Sequence, residues 1–236
     1  MEHLFYAPDI NADATLTEDE SLHCARVLRR KEGDTITVTD GKGFLYSVVL
    51  LESHPRHCRF SVTEKKQCDP SWKFYLHIVV APTKNMDRME WLVEKATEIG
   101  VNDISFVCCH YSERREVKLQ RLYKIAVSAM KQSGQTMLPR IHEITGFNDF
   151  ITIPFNGQKM IGNCEDGEKK ALLKDCYQPS QNVLIMIGPE GDFSREEITD
   201  AIAAGFTPVS LGAHRLRTET AALVACHSFH LINAVT

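Results

Sequence analysis

Two glycine-bearing loops in the C-terminal third of the chain carry the residue types best suited to binding and chemistry. Gly188-Pro189-Glu190-Gly191 follows the apolar run Val183–Ile187, and Leu211-Gly212 precedes Leu216-Arg217-Thr218-Glu219-Thr220. Each loop is predicted to end a strand and to open a helix, so its backbone amides and carbonyls can line a concave site. If only one such loop were present, the geometry of a tight turn would be enough to explain its glycines. Two loops favour a shared site at the strand ends, for a small polar ligand with an adenine or a charged tail.

Three charged residues near the predicted strand ends are candidate catalytic groups. Arg217 is predicted just before a helix N-terminus, where a cation opposes the helix dipole, so a developing oxyanion or an RNA phosphate would explain it. Glu219 suits the positive end of that helix, and this structural role explains it as well as catalysis does, with Thr218 as the predicted N-cap. Lys84 follows the first predicted α/β strand at the end where ligands bind, although a solvated loop lysine also explains it.

Basic residues are concentrated locally in a chain that is acidic overall. The net charge of −4 argues against broad, non-specific binding to nucleic acids, which depends on many phosphate contacts. Between residues 110 and 140, however, seven Lys and Arg residues accompany only two Glu residues. Arg114, Lys118 and Arg121 recur at i, i+4 and i+7, which predicts one exposed basic stripe on a helix. Such a stripe is often only a solvated face, but the local excess favours contact with RNA.

A second basic group lies near the N-terminus. His23, Arg26 and Arg29 are spaced to share one side of a short helix predicted over Ser21–Arg29. Surface solubility and contact with RNA phosphates explain this group equally well. The predicted buried side of the same helix consists of Leu22, Ala25, Val27 and Leu28.

The cysteines contain no CxxC pair, so the sequence predicts neither a metal site nor a disulfide framework. Free, buried thiols in a reducing cytoplasm are the expected state. The N-terminus lacks a signal-peptide pattern, and no apolar stretch approaches the length of a membrane span. These features predict a soluble, cytoplasmic protein without metal or membrane association. The eight cysteines are Cys24, Cys58, Cys68, Cys108, Cys109, Cys164, Cys176 and Cys226.

Two domains are predicted, residues 1–69 and 70–236, because the polar, proline-bearing segment Cys68–Ser71 interrupts the pattern. The first domain reads as small and β-rich, with a turn at Asp40–Gly43 between two alternating segments. Its predicted strands are Thr35–Thr39, Phe44–Leu51 and Cys58–Lys65.

From Phe74 onward strands alternate with helices, which predicts an open, mostly parallel α/β sheet with helices on both faces. The helix over Arg195–Ala204 has the clearest local signal, because Ser194 and Glu197 can form a capping box. The other predicted helices are Arg88–Gly100, Val117–Gln132 and Glu219–Asn233. The predicted strands are Phe74–Ala81, Ile104–Cys109, Met160–Asn163, Val183–Ile187 and Pro208–Leu211.

Nearly the whole chain resembles the RsmE family, the 16S ribosomal RNA uracil-N3 methyltransferases of the SPOUT class. The most specific matches are Gly188-Pro189-Glu190-Gly191 with Phe193-Ser194, and Leu211-Gly212 with Leu216-Arg217-Thr218-Glu219-Thr220-Ala221. Lesser matches are His23 with Val27-Leu28-Arg29, the segment Glu94–Val101, and Gln132-Ser133 with Pro139.

The resemblance implies a small N-terminal PUA-like β-barrel joined to a SPOUT-type parallel sheet with a C-terminal trefoil knot. It implies S-adenosylmethionine held bent in that knot, and a homodimer whose partner helps to complete each active site. The implied substrate is one uridine of 16S ribosomal RNA in the assembled small subunit. The implied cofactor-binding residues are Thr83, Ile187, Gly188, Pro189, Glu190, Gly191, Leu211, Gly212, Leu216, Arg217 and Thr220.

The chain departs from the pattern of the RsmE family at a few positions. Asp192 stands where the family usually has a second glycine. His214 stands where an arginine is usual and Arg215 where an aliphatic residue is usual, so the basic charge has moved by one place. Lys131 replaces the glutamate of a Glu-Gln-Ser segment, and Gln135 stands where an arginine is common.

We hypothesise methyl transfer to uridine N3, whose proton must leave before or during attack. Arg217, or else Lys84, would stabilise the resulting anion in a dry cleft, and Glu219 is a possible general base. The alternatives are a SPOUT methyltransferase acting on another RNA or on a ribose hydroxyl, and a non-catalytic ribosome-assembly or RNA-binding protein. A nucleotide-binding α/β enzyme is disfavoured, because the sequence contains no GxGxxG dinucleotide fingerprint and no phosphate-binding P-loop.

Overall fold

Alternating buried and exposed residues build an N-terminal unit around a four-stranded sheet. Its strands are β1 (Leu4–Tyr6), β2 (Thr35–Thr39), β3 (Phe44–His54) and β4 (His57–Gln67). The computed structural model describes residues 3–163 and 171–234, and the residues up to Ser71 group with Val127–Leu138 in this unit. The sheet order is β1-β2-β3-β4, with β1 parallel to β2 and the other pairs antiparallel.

The predicted β-rich character of this unit is confirmed. Strand β2 has the predicted bounds, and β3 and β4 extend beyond theirs. The turn between β2 and β3 is held by Asp40, whose Oδ1 accepts from the backbone N–H of Lys42 at 2.8 Å. Alternate strand residues such as Val38, Val48 and Phe60 are buried in one hydrophobic core.

The predicted helix over Ser21–Arg29 is wrong in its bounds and in its buried side. Helix α1 spans Glu18–Leu22 and is followed by a π-helical turn at His23–Val27. A turn with i→i+5 hydrogen bonds advances side chains by a different angle from the 3.6-residue period on which the prediction rests. Leu22 and Val27, predicted to be buried, are therefore 51% and 63% exposed.

Buried, mostly apolar strands build the second unit, which comprises Trp72–Ala126 and the residues from Pro139 onward. Its strands are β5 (Leu76–Val80), β6 (Asp103–Cys108), β7 (Arg140–Gly146), β8 (Gln158–Gly162), β9 (Val183–Ile187) and β10 (Phe206–Val209). All neighbouring strands are parallel, in the order β10-β8-β9-β5-β6-β7. The predicted parallel α/β sheet is confirmed.

Six helices alternate with these strands in the described part of the second unit. They are α2 (Met86–Ile99), α3 (Leu119–Ser133), α4 (Phe147–Ile151), α5 (Leu173–Cys176), α6 (Arg195–Ala203) and α7 (Thr218–Ala234). The last residues of α3 group with the first unit. The capping box of Ser194 and Glu197 is present at the start of α6. Helix α7 packs against α2 and against strands β5 and β9.

Strand β7 and the short helices α4 and α5 are absent from the prediction. Strand β7 lies at an edge of the sheet, and its residues are all exposed or half-buried, so it lacks the apolar run of a buried strand. Helices α4 and α5 have five and four residues, which is too short for a helical period to appear in the sequence.

The cysteines agree in part with the prediction of buried free thiols. Cys24, Cys58, Cys109 and Cys226 are free and buried, and the free thiols of Cys68, Cys108 and Cys176 are half-buried. Burial raises the pKa of the Cys226 thiol to about 12, which keeps it protonated and unreactive. Cys164 lies outside the described residues. No described helix combines the length and the apolar character that a membrane crossing requires.

A buried carboxylate joins the beginnings of three neighbouring strands. Asp103, the first residue of β6, accepts hydrogen bonds from the hydroxyl of Tyr75, from Nε2 of His142, and from Nη2 of Arg140 at 3.0 Å. Tyr75 directly precedes β5, and Arg140 begins β7. A buried charge is tolerated when it is paired and hydrogen-bonded. The cluster therefore stabilises the end of the sheet opposite the carboxyl ends of the strands.

Asp103→Ala is expected to lower the free energy of unfolding by about 3 kcal/mol, because Tyr75, Arg140 and His142 lose their shared acceptor. Urea denaturation followed by circular dichroism measures the change. Asp103→Asn keeps one acceptor and should lose less. The control is Glu143→Ala, at an exposed position of β7, with an expected change below about 0.5 kcal/mol. Equal stability of Asp103→Ala and the unaltered protein would contradict this role.

Candidate active site

The first glycine turn leaves the carboxyl end of the buried strand β9. A Cβ atom at Gly188 would make a tight contact, 3.0 Å from the ring of Phe193, a core residue. The backbone N–H of Asp192 donates to the carbonyl of Pro189 at 2.9 Å and closes the turn. Close packing thus favours glycine at position 188.

Asp192 adopts a conformation that glycine usually provides. Its φ is +65°, in the left-handed region that Asp tolerates better than most residues with a Cβ atom. Its Oδ1 accepts a hydrogen bond from the backbone N–H of Phe193 at 2.8 Å. The aspartate therefore adopts a glycine-like backbone conformation at a position where glycine is usual in the RsmE pattern.

The second glycine turn follows strand β10. Gly212 has a φ of +140° and nothing within 4 Å of the position of a Cβ atom, so backbone conformation rather than crowding favours glycine. The hydroxyl of Ser210 donates to the carbonyl of Gly212 at 3.1 Å and accepts from its N–H at 3.3 Å. These two bonds fix the course of the turn at its start.

The two turns contact each other directly. The hydroxyl of Thr218 donates to the carbonyl of Gly188 at 3.0 Å, and Nη2 of Arg215 donates to the carbonyl of Glu190 at 3.0 Å. Thr218 is the first residue of α7, so its predicted role as the N-cap is wrong. Its hydroxyl instead donates to the first turn.

The end of strand β8 forms a third wall, which the sequence did not predict. In the sheet β8 lies between β10 and β9, so its last residue Gly162 and the following Asn163 lie between the two glycine turns. A Cβ atom at Gly162 would lie 2.9 Å from Cδ1 of Ile187. A glycine at the end of a predicted strand is the signal that could have indicated this wall.

These three strand ends enclose one cleft with a volume of about 850 Å³. Further lining residues, absent from the predicted site, are Arg88, Gly162, Asn163, Asp192, Val209, Ser210, Ala213, His214, Arg215, Thr218 and Ala221. The predicted site residues that line the cleft are Ile187, Gly188, Pro189, Glu190, Leu211, Gly212, Leu216 and Arg217.

Five predicted site residues do not line the cleft: Thr83, Lys84, Gly191, Glu219 and Thr220. Thr83 is buried, and its hydroxyl donates to the carbonyl of Asn85 at 2.8 Å. Nζ of Lys84 lies 3.0 Å from the carboxylate of Glu113. The backbone N–H of Lys84 donates to Oε1 of Glu190 at 3.1 Å, so the main chain at this position supports the first turn.

Glu219 lies behind the cleft wall and pairs with a lining residue. It is only 6% exposed, and its Oε1 lies 3.7 Å from Nε of Arg88. Glu219 belongs to the first turn of α7, where a carboxylate also interacts favourably with the helix dipole.

The basic stripe predicted on one helix does not form. Helix α3 contains Arg121, whereas Arg114 and Lys118 precede the helix, so the three residues do not lie on one helical face. Nη2 of Arg114 donates to the carbonyl of Lys84 at 2.9 Å. Nε of Arg121 lies 2.6 Å from Oε1 of Glu90. Two of the three cations therefore already have partners within the second unit.

Of the N-terminal basic group, Arg26 and Arg29 line a shallow depression of about 660 Å³ in the first unit, whose lining also includes Arg30, Lys31 and the acidic Glu32. Arg29 has a left-handed φ of +54°, which is uncommon for a residue with a Cβ atom. His23 is half-buried and stacks on the ring of His3, with 4.6 Å between centroids. Within residues 3–163 and 171–234, no carboxylate pairs with the four cations that line the depression, which are Arg26, Arg29, Arg30 and Lys31.

Asp192→Ala is expected to lower the free energy of unfolding by about 1 kcal/mol, because alanine is strained in the left-handed region and lacks the side-chain acceptor. Asp192→Gly removes the strain and should change stability by less than about 0.5 kcal/mol. Thermal unfolding compares the two variants. Asp200→Ala, at an exposed helical position, is the control and should not destabilise. Equal losses for alanine and glycine at position 192 would rule out backbone strain.

Comparison with known proteins assigns the chain to a family. An RNA methyltransferase domain matches residues 70–230, and an RNA methyltransferase PUA domain matches residues 16–66. The crystal structure of a probable rRNA-methyltransferase from Porphyromonas gingivalis is similar, with 42% identity, a TM-score of 0.94 and 99% of each chain covered. The ribosomal RNA small subunit methyltransferase E of Neisseria gonorrhoeae, solved bound to S-adenosyl methionine, has 28% identity, a TM-score of 0.86 and 98% coverage of each chain.

The protein of the same name from Buchnera aphidicola is 26% identical over 231 residues, which cover 92% of this chain and 87% of the relative. The resemblance to the RsmE family is thus confirmed along nearly the whole chain, including the PUA-like part. The chain belongs to the ribosomal RNA small subunit methyltransferase E family of RNA methyltransferases.

Proposed function

We propose that the chain transfers a methyl group from S-adenosylmethionine to N3 of one uridine in 16S ribosomal RNA. The observation that carries the proposal is the single cleft between the turns at Gly188 and Gly212, joined by the hydrogen bond from Thr218. The family consists of RNA methyltransferases, and the relative from Neisseria gonorrhoeae binds S-adenosyl methionine. Family and cleft together support this donor and this class of substrate.

The cleft fits S-adenosylmethionine in size and in chemistry. Its volume of about 850 Å³ lies within the range of small-molecule sites, about 300–1,000 Å³. The turns 188–190 and 211–212 present backbone polar groups, and Ile187 and Leu216 supply apolar surface. The carboxylates of Glu190 and Asp192 suit a ligand that carries positive charge. When bound, the cofactor supplies a methyl group that is activated by the positive charge on its sulfur.

Arg217 is the residue best placed to stabilise the reacting base. Uracil N3 carries a proton at neutral pH, and its loss places negative charge on N3 and on the two flanking carbonyl oxygens. A fixed cation in the cleft stabilises that charge. Arg217 lines the cleft and, among the residues that the structure describes, forms no ion pair. Lys84 stays a second candidate, but its ammonium would first have to leave Glu113.

The first unit is proposed to hold the RNA. N3 lies on the pairing edge of uracil, so the target base must be unpaired or turned out of its helix before it can enter the cleft. Arg26 and Arg29, which form no ion pair among the described residues, suit the phosphate backbone of an RNA, and His23 precedes them in the same short segment of the chain. Lys118, Arg114 and Arg121 are proposed as further contacts on the second unit, although the last two would exchange present partners for phosphate.

Several properties implied by the family resemblance are proposed with this activity. They are a PUA-like RNA-binding domain over residues 1–69, a knotted methyltransferase domain over residues 70–236, and a homodimer in which the partner helps to complete each site. Thr83, Gly191 and Thr220 would then contact the cofactor after adjustments on binding. The proposed substrate is the assembled small ribosomal subunit, which agrees with a cytoplasmic location.

Mass mapping of small-subunit RNA, with and without the gene, tests the proposed reaction. One uridine should lose a single N3 methyl group in the deletion strain and regain it on complementation. Loss of a methyl group at another RNA position or on a ribose hydroxyl would replace uracil N3 by that target. An unchanged RNA, together with no binding of S-adenosylmethionine in calorimetry, would identify a non-catalytic RNA-binding protein.

Arg217→Ala is expected to lower the rate of methyl transfer by about 10² to 10³-fold, the usual effect of removing one group that stabilises a developing anion. Transfer of labelled methyl groups to small subunits from the deletion strain measures the rate. Arg217→Lys keeps the charge and should lose less activity. The control is Lys174→Ala, which removes an exposed cation that does not line the cleft. Full activity of a folded Arg217→Ala variant would contradict the assignment.

The double variant Arg26→Ala with Arg29→Ala is expected to weaken RNA binding and to reduce its salt dependence. Removing one cation that binds a phosphate should lower the slope of log affinity against log salt by about 0.7 to 0.9. Filter binding or anisotropy over a salt series measures the slope. Lys66→Ala removes an exposed cation of the same unit outside the basic depression and should leave the slope unchanged. Identical slopes for the double variant and for Lys66→Ala would exclude this surface.

A further inference from the structure

One cation in the cleft is not explained by its position in the chain. Arg88 lines the cleft and lies in the first turn of α2, which begins at Met86 after the N-cap residue Asn85. A positive charge at a helix N-terminus opposes the helix dipole. The position therefore requires a compensating anion, and the exposure to the cleft suggests a function.

Glu219 is the compensating anion. Its pairing with Nε of Arg88 at 3.7 Å joins the first turns of α2 and α7, two helices that pack together. A buried carboxylate is unfavourable unless it is paired, and Oε2 of Glu219 has no hydrogen-bond partner in the part of the chain that the structure describes. The contact engages Nε and leaves the terminal nitrogens of Arg88 for a molecule in the cleft.

Acidic and basic side chains both line the cleft. The acidic residues are Glu190 and Asp192 of the first turn. A positively charged methyl donor suits the acidic residues, whereas an acceptor that becomes negative suits the basic ones. Uracil without its N3 proton offers two separate carbonyl oxygens, one on each side of N3. The basic residues that line the cleft are Arg88, His214, Arg215 and Arg217.

We propose that Arg88 is a second catalytic cation, which donates to one uracil carbonyl beside N3 while Arg217 donates to the other, and that Glu219 positions Arg88. The proposal rests on uracil N3 as the methyl acceptor. Transfer forms the bond between N3 and the methyl carbon, leaves the electron pair of the broken carbon–sulfur bond on sulfur, and releases the N3 proton to solvent. Arg88 favours the deprotonated base and so lowers the pKa of N3 in the bound state.

Single-turnover methyl transfer across a pH series tests this assignment with Arg88→Gln and Arg88→Lys. The rate should rise with pH until N3 is deprotonated, and an adjacent cation lowers such a pKa by about one to three units. In Arg88→Gln the rising limb of the pH–rate profile should move to higher pH by about one unit or more. The rate at neutral pH should fall by about tenfold or more. Arg88→Lys should recover part of the shift, because it keeps the charge.

The Glu219→Gln variant separates the positioning role of Glu219 from the effect of the positive charge on Arg88. This variant keeps the cation but no longer holds it, so the maximal rate should fall while the rising limb does not move to higher pH. An unchanged maximal rate would overturn the positioning role. The series is repeated with His214→Gln, because His214 is a further ionisable side chain that lines the cleft.

Calorimetry of S-adenosylmethionine binding and thermal unfolding complete the test. Arg88→Gln should remain folded and should bind the cofactor with unchanged affinity. If Arg88→Gln does not fold, Arg88→Lys is measured in its place. Lost cofactor affinity with an unshifted rising limb would place Arg88 at the cofactor and overturn the proposal. If the unaltered protein methylates N3 and Arg88→Gln has the same rising limb, only this inference fails. If the unaltered protein does not methylate N3, the proposed function itself fails.

Discussion

Parallel hydrogen bonding among β10, β8 and β9 is the constraint on which the candidate active site depends. These strands are neighbours in the order β10-β8-β9, so their carboxyl ends meet at one edge of the sheet. Gly162, Gly188 and Gly212 stand at or just after those ends and line the same cleft. If β10 were paired beside β7 at the other side of the sheet, the second glycine turn would lie four strands away from the first. The bond from Thr218 to the carbonyl of Gly188 could not then form.

Strands and turns with a pattern in their own residues could be predicted from the sequence. The placement of distant segments next to one another depends on the order of strands in the sheet and could not be predicted. Thr35–Thr39 and Val183–Ile187 have the predicted bounds, because each strand carries its own pattern of burial. Strand β7 lacked such a pattern at the edge of the sheet, and the π-helical turn at His23–Val27 broke the period assumed for its helix. Both glycine turns could be recognised from their residues, but periodicity carries no information about the strand that lies between them.

Three departures from the RsmE pattern have local physical explanations. Asp192 occupies the left-handed backbone conformation in which glycine is usual, and its side chain accepts a hydrogen bond there. Arg215, one place beyond the usual arginine, contacts the first turn by donating to the carbonyl of Glu190. In the first unit, Nζ of Lys131 lies 2.5 Å from the largely buried carboxylate of Glu20. Lys131 balances the buried charge of Glu20. Lysine in place of the glutamate that is usual at position 131 is therefore explained by packing within the first unit.

The pairing of Arg88 with Glu219 shows why local signals misjudge a site built from distant segments. A buried carboxylate is unfavourable, and so is an arginine in the first turn of a helix. Each residue offsets the cost of the other at 3.7 Å, and neither is explained alone. From the sequence, the dipole of its own helix explains Glu219 as well as a catalytic role does, and Arg88 is not apparent as its partner. The same contact directs a cation towards the cleft, where the reacting base gains negative charge.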